Sequence, residues 1–456
     1  MDGPPGVPRT SREVALEVLH RVDAHQAWST VLLRRVLDRA ALRPADAALA
    51  TELTLGTLRH RAEVDWVLSR VSTTPLDELP SPIRTVLRIG AYQLLFLDRI
   101  PPRAACSEAV ALAKRVGHPG TARLVNAVLR RIAADPIAIP ADESTTEGIA
   151  LRHSHPVWLV RRWMDRFGVE GARALCAANN TTPPASIRLN TLRAPPASVT
   201  KAIAAMGVRT ARSVLLPEGA RIVEASPEAR RAAYDAGWVT PQDEGSMLVS
   251  RLVAPLPGET VVDACAGSGG KALHLAALMG NQGRVHAWDV VPAKLDALTR
   301  HARRLGAATI EPRLLDATRL SGVLPEADRV LVDAPCSGLG VIRRRPEIRW
   351  RLQPEQLPAL AARQREILEG ASAVVRPGGL LAFSVCTIEP DEGDAVVSGF
   401  LAAHSEFDPV PIFGWPLGSG GEPAPPAVLG REGTAYLLPH VHDTDGFFVA
   451  ALRRRR

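Results

Sequence analysis

The chain has 456 residues, a length that suits about three domains. Hydrophobic residues make up 46% and charged residues 23%, the balance of an ordinary globular protein, which excludes collagen-like, fibrous and wholly disordered chains. The net charge is +7 and comes almost entirely from Arg, so nucleic acid is an open partner, although a chain rich in Ala, Arg and Pro throughout would carry extra Arg everywhere.

No run approaches the roughly 20 apolar residues that span a bilayer, so no membrane partner is expected. The start, MDGPPGVPRTSREV, lacks the apolar core of a secretory signal. Five cysteines stand far apart at 106, 176, 265, 336 and 386, with no CxxC pair. That pattern argues against a disulfide framework and a zinc site, and it fits a reducing cytoplasm. No metal is expected, and each cysteine is either core filler or chemistry.

Residues 11–135 read as helix throughout. SREVALEVLHRV places apolar residues at 14, 15, 18, 19 and 22 behind Ser11, a candidate N-cap. Helical patterns follow at 45–71, 83–98, 105–116 and 121–133, broken at Pro75–Pro82, Pro101–Pro102 and Gly117–Gly120. Helices joined by short turns make a bundle. DPIAIPADESTTEG (135–148) reads as a linker and HPVWLVRRWMDRFG (155–168) as an amphipathic helix. SIRLNTLR alternates like a strand, and a small mixed α/β unit continues to about residue 238.

From 241 the rhythm is strand, loop, helix. Apolar runs such as TVVDACAG, GRVHAWDV, ADRVLVDAP and GGLLAFSVCT alternate with helical stretches, which predicts a doubly wound sheet with active residues at the strands' carboxyl ends. The Gly/Pro-rich 411–431 segment reads as a surface loop. The domains are therefore expected at 1–138, 139–238 and 239–456: a helical bundle, a small α/β linker subdomain, and an α/β Rossmann-like domain.

Asp263-Ala-Cys-Ala-Gly-Ser-Gly-Gly-Lys271 follows the first strand of that domain. It fails as a P-loop at Cys265 and Ala272. It does match the dinucleotide pattern at Gly267, Gly269 and Ala272, with Asp289 placed for a ribose. S-adenosylmethionine would use the same features, so this stretch implies a nucleoside-containing cofactor and leaves NAD open. A helix-capping glycine turn with no ligand is the bland alternative. Asp316, ending the third strand, could meet an adenine amino group or simply cap a helix.

Asp333-Ala-Pro-Cys336 and Ser384-Val-Cys386-Thr end the fourth and fifth strands, so two thiols face one crevice. The Pro presents Cys336 outward, and the neighbouring acid could grip a pyrimidine edge. Arg343, Arg344, Arg345, Arg349 and Arg351, with Trp350 among them, suit phosphate contact and base stacking; a solvated basic loop is the plainer reading. Two thiols beside a methyl donor point to C5 of cytosine. A thiolate adding at C6 makes C5 nucleophilic, and a base must then remove the C5 proton.

The stretches DACAGSGGK, AWD, LLDAT, LVDAPCSGLGVIRRRPEIRW and SVCTIEPDE resemble the motifs of Nop2/Sun-type RNA cytosine-C5 methyltransferases. The first 135 residues resemble a NusB-type RNA-binding domain. Together they resemble the bacterial 16S ribosomal RNA small subunit methyltransferase B family over nearly the whole chain. The resemblance implies an S-adenosyl-L-methionine cofactor held by Cys265, Ala266, Gly267, Ser268, Gly269, Gly270 and Lys271, with Asp289, Asp316 and Asp333. It implies Cys386 as nucleophile, Cys336 in adduct release, and Arg188 and Asn190 as residues that position RNA. It also implies small-subunit ribosomal RNA as partner, with cytosine-967 as the family's target. Ser268 and Ala272 depart from the family's usual Pro and Thr in the cofactor turn. An NAD-dependent oxidoreductase and a non-catalytic RNA-binding scaffold are the competing readings; the first leaves both strand-end cysteines unexplained.

Overall fold

The computed structural model describes residues 7–135, 137–140, 142–320, 322, 326–412, 428–429 and 432–456. Most of the 411–431 segment expected as a loop lies outside these residues. The chain divides into two compact units, Met1–Thr181 with Ile342–Leu352, and Thr182–Val341 with Gln353–Arg456. In this two-unit division the first break falls near 181, because helices Thr146–Arg152 and Val157–Asn180 pack with the helical head. The latter helix kinks at Gly168, whose φ of 71° only glycine adopts readily.

In the first unit, helices run at Ser11–His25, Ser29–Ala40, Pro44–Arg59, Arg61–Val71, Ser81–Phe96, Pro102–Val116 and Pro119–Ala134. Their apolar stripes converge on one core that includes Val14, Val18, Leu53, Val64, Leu68, Ile83, Leu87 and Leu129. The first N-cap is Thr10, which accepts from the Glu13 amide; Ser11 is instead buried and donates to the Asp46 carbonyl at 2.7 Å. Gly90 allows a close helix crossing, since a Cβ there would stand 2.5 Å from Leu129.

The arm Ile342–Leu352 completes this unit. Arg349 is fully buried, and its guanidinium donates to the Ser154 carbonyl (3.0 Å), the Asn180 side chain (2.7 Å) and the Asn179 carbonyl (3.2 Å). Burial lowers its pKa to about 9. The Glu347 carboxylate accepts from the Ser29 amide and hydroxyl at 2.9 and 2.7 Å. Trp350 Nε1 donates to the Leu58 carbonyl, and Arg351 donates to the Gln26 and Val22 carbonyls. The stretch read from sequence as a basic, base-stacking loop is thus largely interior scaffold. Arg343 is buried, whereas Arg344 and Arg345 are half-buried, and Arg345 stacks over Trp28.

The second unit opens with strands β1 (Ser186–Leu189), β2 (Arg209–Arg212), β3 (Gly219–Glu224) and β4 (Val239–Pro241). They pair antiparallel in the order β2-β3-β1-β4, with helices Pro196–Ala205 and Pro227–Asp235 in the two crossovers. This is the βαββαβ ferredoxin-like arrangement.

The larger sheet contains β5 (Thr260–Asp263), β6 (Arg284–Asp289), β7 (Ile310–Leu314), β8 (Ala327–Asp333), β9 (Val375–Val385), β10 (Phe407–Pro409), β11 (Val428–Leu429), β12 (Thr434–Leu437) and β13 (Phe447–Arg454). Its order is β11-β12-β13-β9-β8-β5-β6-β7, with β10 on β13. Strands β5 to β9 are parallel and β13 is antiparallel to β9. The central strands are near-continuous apolar runs, as expected for a sheet covered on both faces. Chain order reverses between β5 and β8, so a crevice opens at their carboxyl ends. No described helix is long and apolar enough to cross a membrane.

Replacing Arg349 with Met keeps the volume and strands several buried carbonyl groups. We expect R349M to lower unfolding stability by roughly 2–4 kcal/mol, read from urea midpoints. Lys at the same position should not rescue it, because a point charge cannot reproduce the guanidinium fork.

Candidate active site

The β5–β8 crevice collects the carboxyl-terminal residues of four strands. Asp263 ends β5, Asp289 ends β6, Asp333 ends β8, and Cys386 follows β9 directly. The β8/β9 register sets Asp333 opposite Ser384, and the Ala334 amide donates to the Ser384 carbonyl at 2.9 Å. From that shared starting line the two chains turn together. Cys336 and Cys386 arrive with their sulfurs 3.3 Å apart, both partly exposed.

Asp333 sits beside them and is anchored twice. Its Oδ1 accepts from the Ser384 hydroxyl at 2.7 Å and its Oδ2 pairs with Lys271 Nζ at 2.7 Å. Burial alone would depress the Lys271 pKa, but Asp333, then Cys386 and Asp263, raise it above the ordinary value. Lys271 is therefore a buried ammonium within electrostatic reach of Cys386. The Cys336 thiol is pushed well up by its hydrogen bond with Cys386, by burial and by the charge of Glu392.

The glycine turn lies next to this cluster. Gly267 has φ of 55° with open space above its missing Cβ, and Gly270 is equally open. Gly269 is constrained differently: its φ is 93°, and a Cβ would stand 2.8 Å from Leu298. Asp289 is buried and accepts from the Gly267 and Val291 amides at 3.0 and 2.9 Å. Cys265 is half-buried and its thiol pKa is raised, first by burial and then by the surrounding carboxylates. Ala266 is buried, and Ser268 is exposed and offers its carbonyl to His301. Asp316 caps the short turn at Thr318 and pairs with Arg363 at 3.2 Å, so the capping role weighed for it is the one its geometry displays.

A nucleoside cofactor fits this surface. Val290 and Leu314 are exposed beside Asp289 and Asp316, an apolar margin suited to a base. Both Asp263 oxygens are buried without a hydrogen-bond partner, so a cationic amino group near the turn would be favoured.

Arg188 and Asn190 are not at an open surface. Arg188 is buried and donates to the Gly270 carbonyl at 2.8 Å and to Gln242; burial lowers its pKa to about 9. Asn190 donates to the Gly237 and Leu305 carbonyls at 2.8 and 3.0 Å. Both side chains are thus aimed at protein acceptors, and Arg188 braces the glycine turn.

Sequence reasoning missed Ser384, Thr387, Gln364 and Glu392. Ser384 and Thr387 flank Cys386, and a polar residue in an otherwise apolar strand end was the available signal. Gln364 lies mid-helix and offered none.

Comparison with known proteins agrees with this arrangement. Residues 250–453 match the model of the 16S rRNA methyltransferase RsmB/F family. Residues 9–134 match the NusB family, and 155–227 match the ferredoxin-like domain of RsmF/B-like methyltransferases. The chain is 36% identical to a probable ribosomal RNA small subunit methyltransferase B of Bacillus subtilis (strain 168), over 97% of this chain and 98% of that protein. The chain belongs to the RsmB/F family. An RsmB relative from Thermus thermophilus, the ribosomal RNA small subunit methyltransferase B, is also 36% identical, over 98% of each chain. The crystal structure of PH0851 superposes with a TM-score of 0.83 at 28% identity, covering 99% of this chain and all of that one. The NusB-like head, ferredoxin-like middle and Rossmann-like sheet are thus the RsmB/F arrangement. Among the described residues no acid, His and Cys cluster could hold a metal.

Burial, then the neighbouring Asp333, pushes the Asp263 carboxyl up to about 7 from an ordinary 3.8. The folded state therefore holds this proton more tightly than the unfolded chain does. Stability should be full below about pH 4 and fall as pH rises through 7, by up to about 4 kcal/mol. We expect D263N to flatten this decline, measured by urea unfolding of both proteins between pH 4 and pH 8.5.

Proposed function

We propose that this chain transfers a methyl group from S-adenosylmethionine to C5 of a cytosine in small-subunit ribosomal RNA, at the family's position 967, through a covalent Cys386–cytosine adduct. The observation that carries the reading is the pair of sulfurs 3.3 Å apart at adjacent strand ends, beside the Lys271–Asp333 pair. When bound, the cofactor supplies an electrophilic methyl group. Its place is the glycine turn, with Asp289 at the ribose and Asp316 near the adenine.

Cys386 is the nucleophile because a positive charge close to a sulfur favours attack, and Lys271 provides one. Its sulfur adds to C6, and the electron pair of the C5–C6 double bond moves to C5, which takes the methyl group. Asp333 and Lys271 present an acceptor and a donor to the base edge. A solvent base takes the C5 proton, the C5–H electron pair restores the C5–C6 double bond, and the C6–sulfur bond breaks with its electron pair leaving on the Cys386 sulfur, to which the Cys336 thiol donates its proton. One thiol held protonated beside one near an ammonium suits this division of roles.

The target base must be unstacked to reach the sulfurs, as a loop nucleotide can be. Phosphate contacts come from Arg on the helical head and the net charge of +7. The free cysteines suit the reducing cytoplasm, where ribosomal RNA is made. Hydride transfer to NAD gives the two sulfurs no task, and a non-catalytic scaffold would have no need of the buried Lys271–Asp333 pair.

Cys386→Ala should abolish both turnover and adduct, whereas Cys336→Ala should trap a denaturant-resistant protein–RNA adduct. A labelled-methyl assay on small-subunit RNA and a denaturing gel read the two outcomes. The opposite pattern would make Cys336 the nucleophile. RNA affinity should fall steeply between about 50 and 200 mM salt, by roughly a hundredfold or more, in a filter-binding series.

A further inference from the structure

Behind the two sulfurs lies a polar cluster with no role in the chemistry above. Glu392 is fully buried. Its Oε1 accepts from the Ser337 amide at 2.8 Å and from Gln364 Nε2 at 2.8 Å. The same Gln364 amide donates to the Pro335 carbonyl at 3.0 Å. Cys336 is therefore flanked on both sides by backbone groups tied to this pair. The Ser337 hydroxyl donates to Thr387 Oγ1 at 2.9 Å, and the Gly340 amide donates to the Cys386 carbonyl at 3.0 Å, which joins the first turn to the second.

A buried carboxylate is costly unless its position matters or its partners compensate it. Burial raises the Glu392 pKa, and the hydrogen bonds from Ser337 and Gln364 oppose that rise. Glu392 holds the Ser337 amide directly and the Pro335 carbonyl through Gln364, so it braces both sides of Cys336, and the Thr387 hydroxyl links it to the turn that follows Cys386.

We propose that Glu392, braced by Gln364, is the positioning residue that fixes the Cys336 turn against the Cys386 turn and so sets the rate of adduct release. The inference rests on the cysteine-based reading given above. Without Glu392 the Ser337 amide loses its acceptor and Cys336 is free to swing away from the adduct. Cys386 is anchored through β9 and the Gly340 amide, so adduct formation persists while release slows.

The test uses the full-length protein with small-subunit RNA and S-adenosylmethionine. Glu392→Ala should slow turnover about tenfold or more and accumulate the denaturant-resistant adduct, as Cys336→Ala does. Cofactor affinity, titrated by calorimetry, should stay within about twofold of wild type, since the glycine turn is untouched. Glu392→Gln keeps an oxygen acceptor and should restore most of the turnover. General loosening would lower adduct formation and release together, so it would not enrich the adduct. If Glu392→Ala does not fold, Gln364→Ala carries the test and should show the same enrichment. Wild-type turnover without adduct in the folded variant overturns the proposal. If Cys336→Ala itself traps no adduct, the underlying reading fails instead, whatever Glu392→Ala does.

Discussion

The parallel pairing of β8 with β9 is the constraint on which the site depends. Backbone hydrogen bonds fix Asp333 opposite Ser384. Everything reactive is then a short, countable distance away: Cys336 three residues beyond one partner, Cys386 two beyond the other. A slip of one residue would turn every side chain on β9 to the opposite face and separate the sulfurs. The register is protected because β9 is buried along most of its length and flanked by strands on both sides. Sheet packing thus aligns two side chains that lie 50 residues apart in sequence.

Charge is organised around the same edge. Asp263, Lys271 and Asp333 are brought together where water is scarce: burial and then Asp333 raise the Asp263 pKa, and Asp333 raises that of Lys271 against the effect of burial. Lys271 answers Asp333 directly, which leaves Asp263 as the buried acid without a close partner. Ser384 and Lys271 hold the two oxygens of Asp333 in one orientation. A rigid acid beside two thiols is a preorganised surface, and its rigidity comes from the strand ends.

Much of this was legible in the sequence because it obeys local rules. Apolar runs alternating with amphipathic stretches gave the doubly wound sheet. DAPC and SVCT fell at strand ends because Asp, Pro and Ser stop an apolar run. The head's helices followed from their period, although 45–71 proved to be two helices meeting at His60, and Ser29–Ala40 had no separate signal. What could not be read was long-range. Arg343 and Arg349 look like surface cations in sequence, yet Arg349 is buried by carbonyls 170 to 195 residues distant. Arg188, expected from the resemblance to position RNA, donates to the Gly270 carbonyl, 82 residues away. Gln364 carries no local signal at all. An arginine's destination depends on which acceptors the fold delivers to it, and composition is silent on that.

The arm Ile342–Leu352 ties the evolutionary fate of the two units together. It begins a few residues after Cys336 in the chain, yet its side chains finish the interior of the helical head. Neither part is then a self-sufficient module: the head lacks a piece of its own filling if separated, and the other part would trail a stretch shaped for burial. Recombination at the boundary near residue 181 would break both at once.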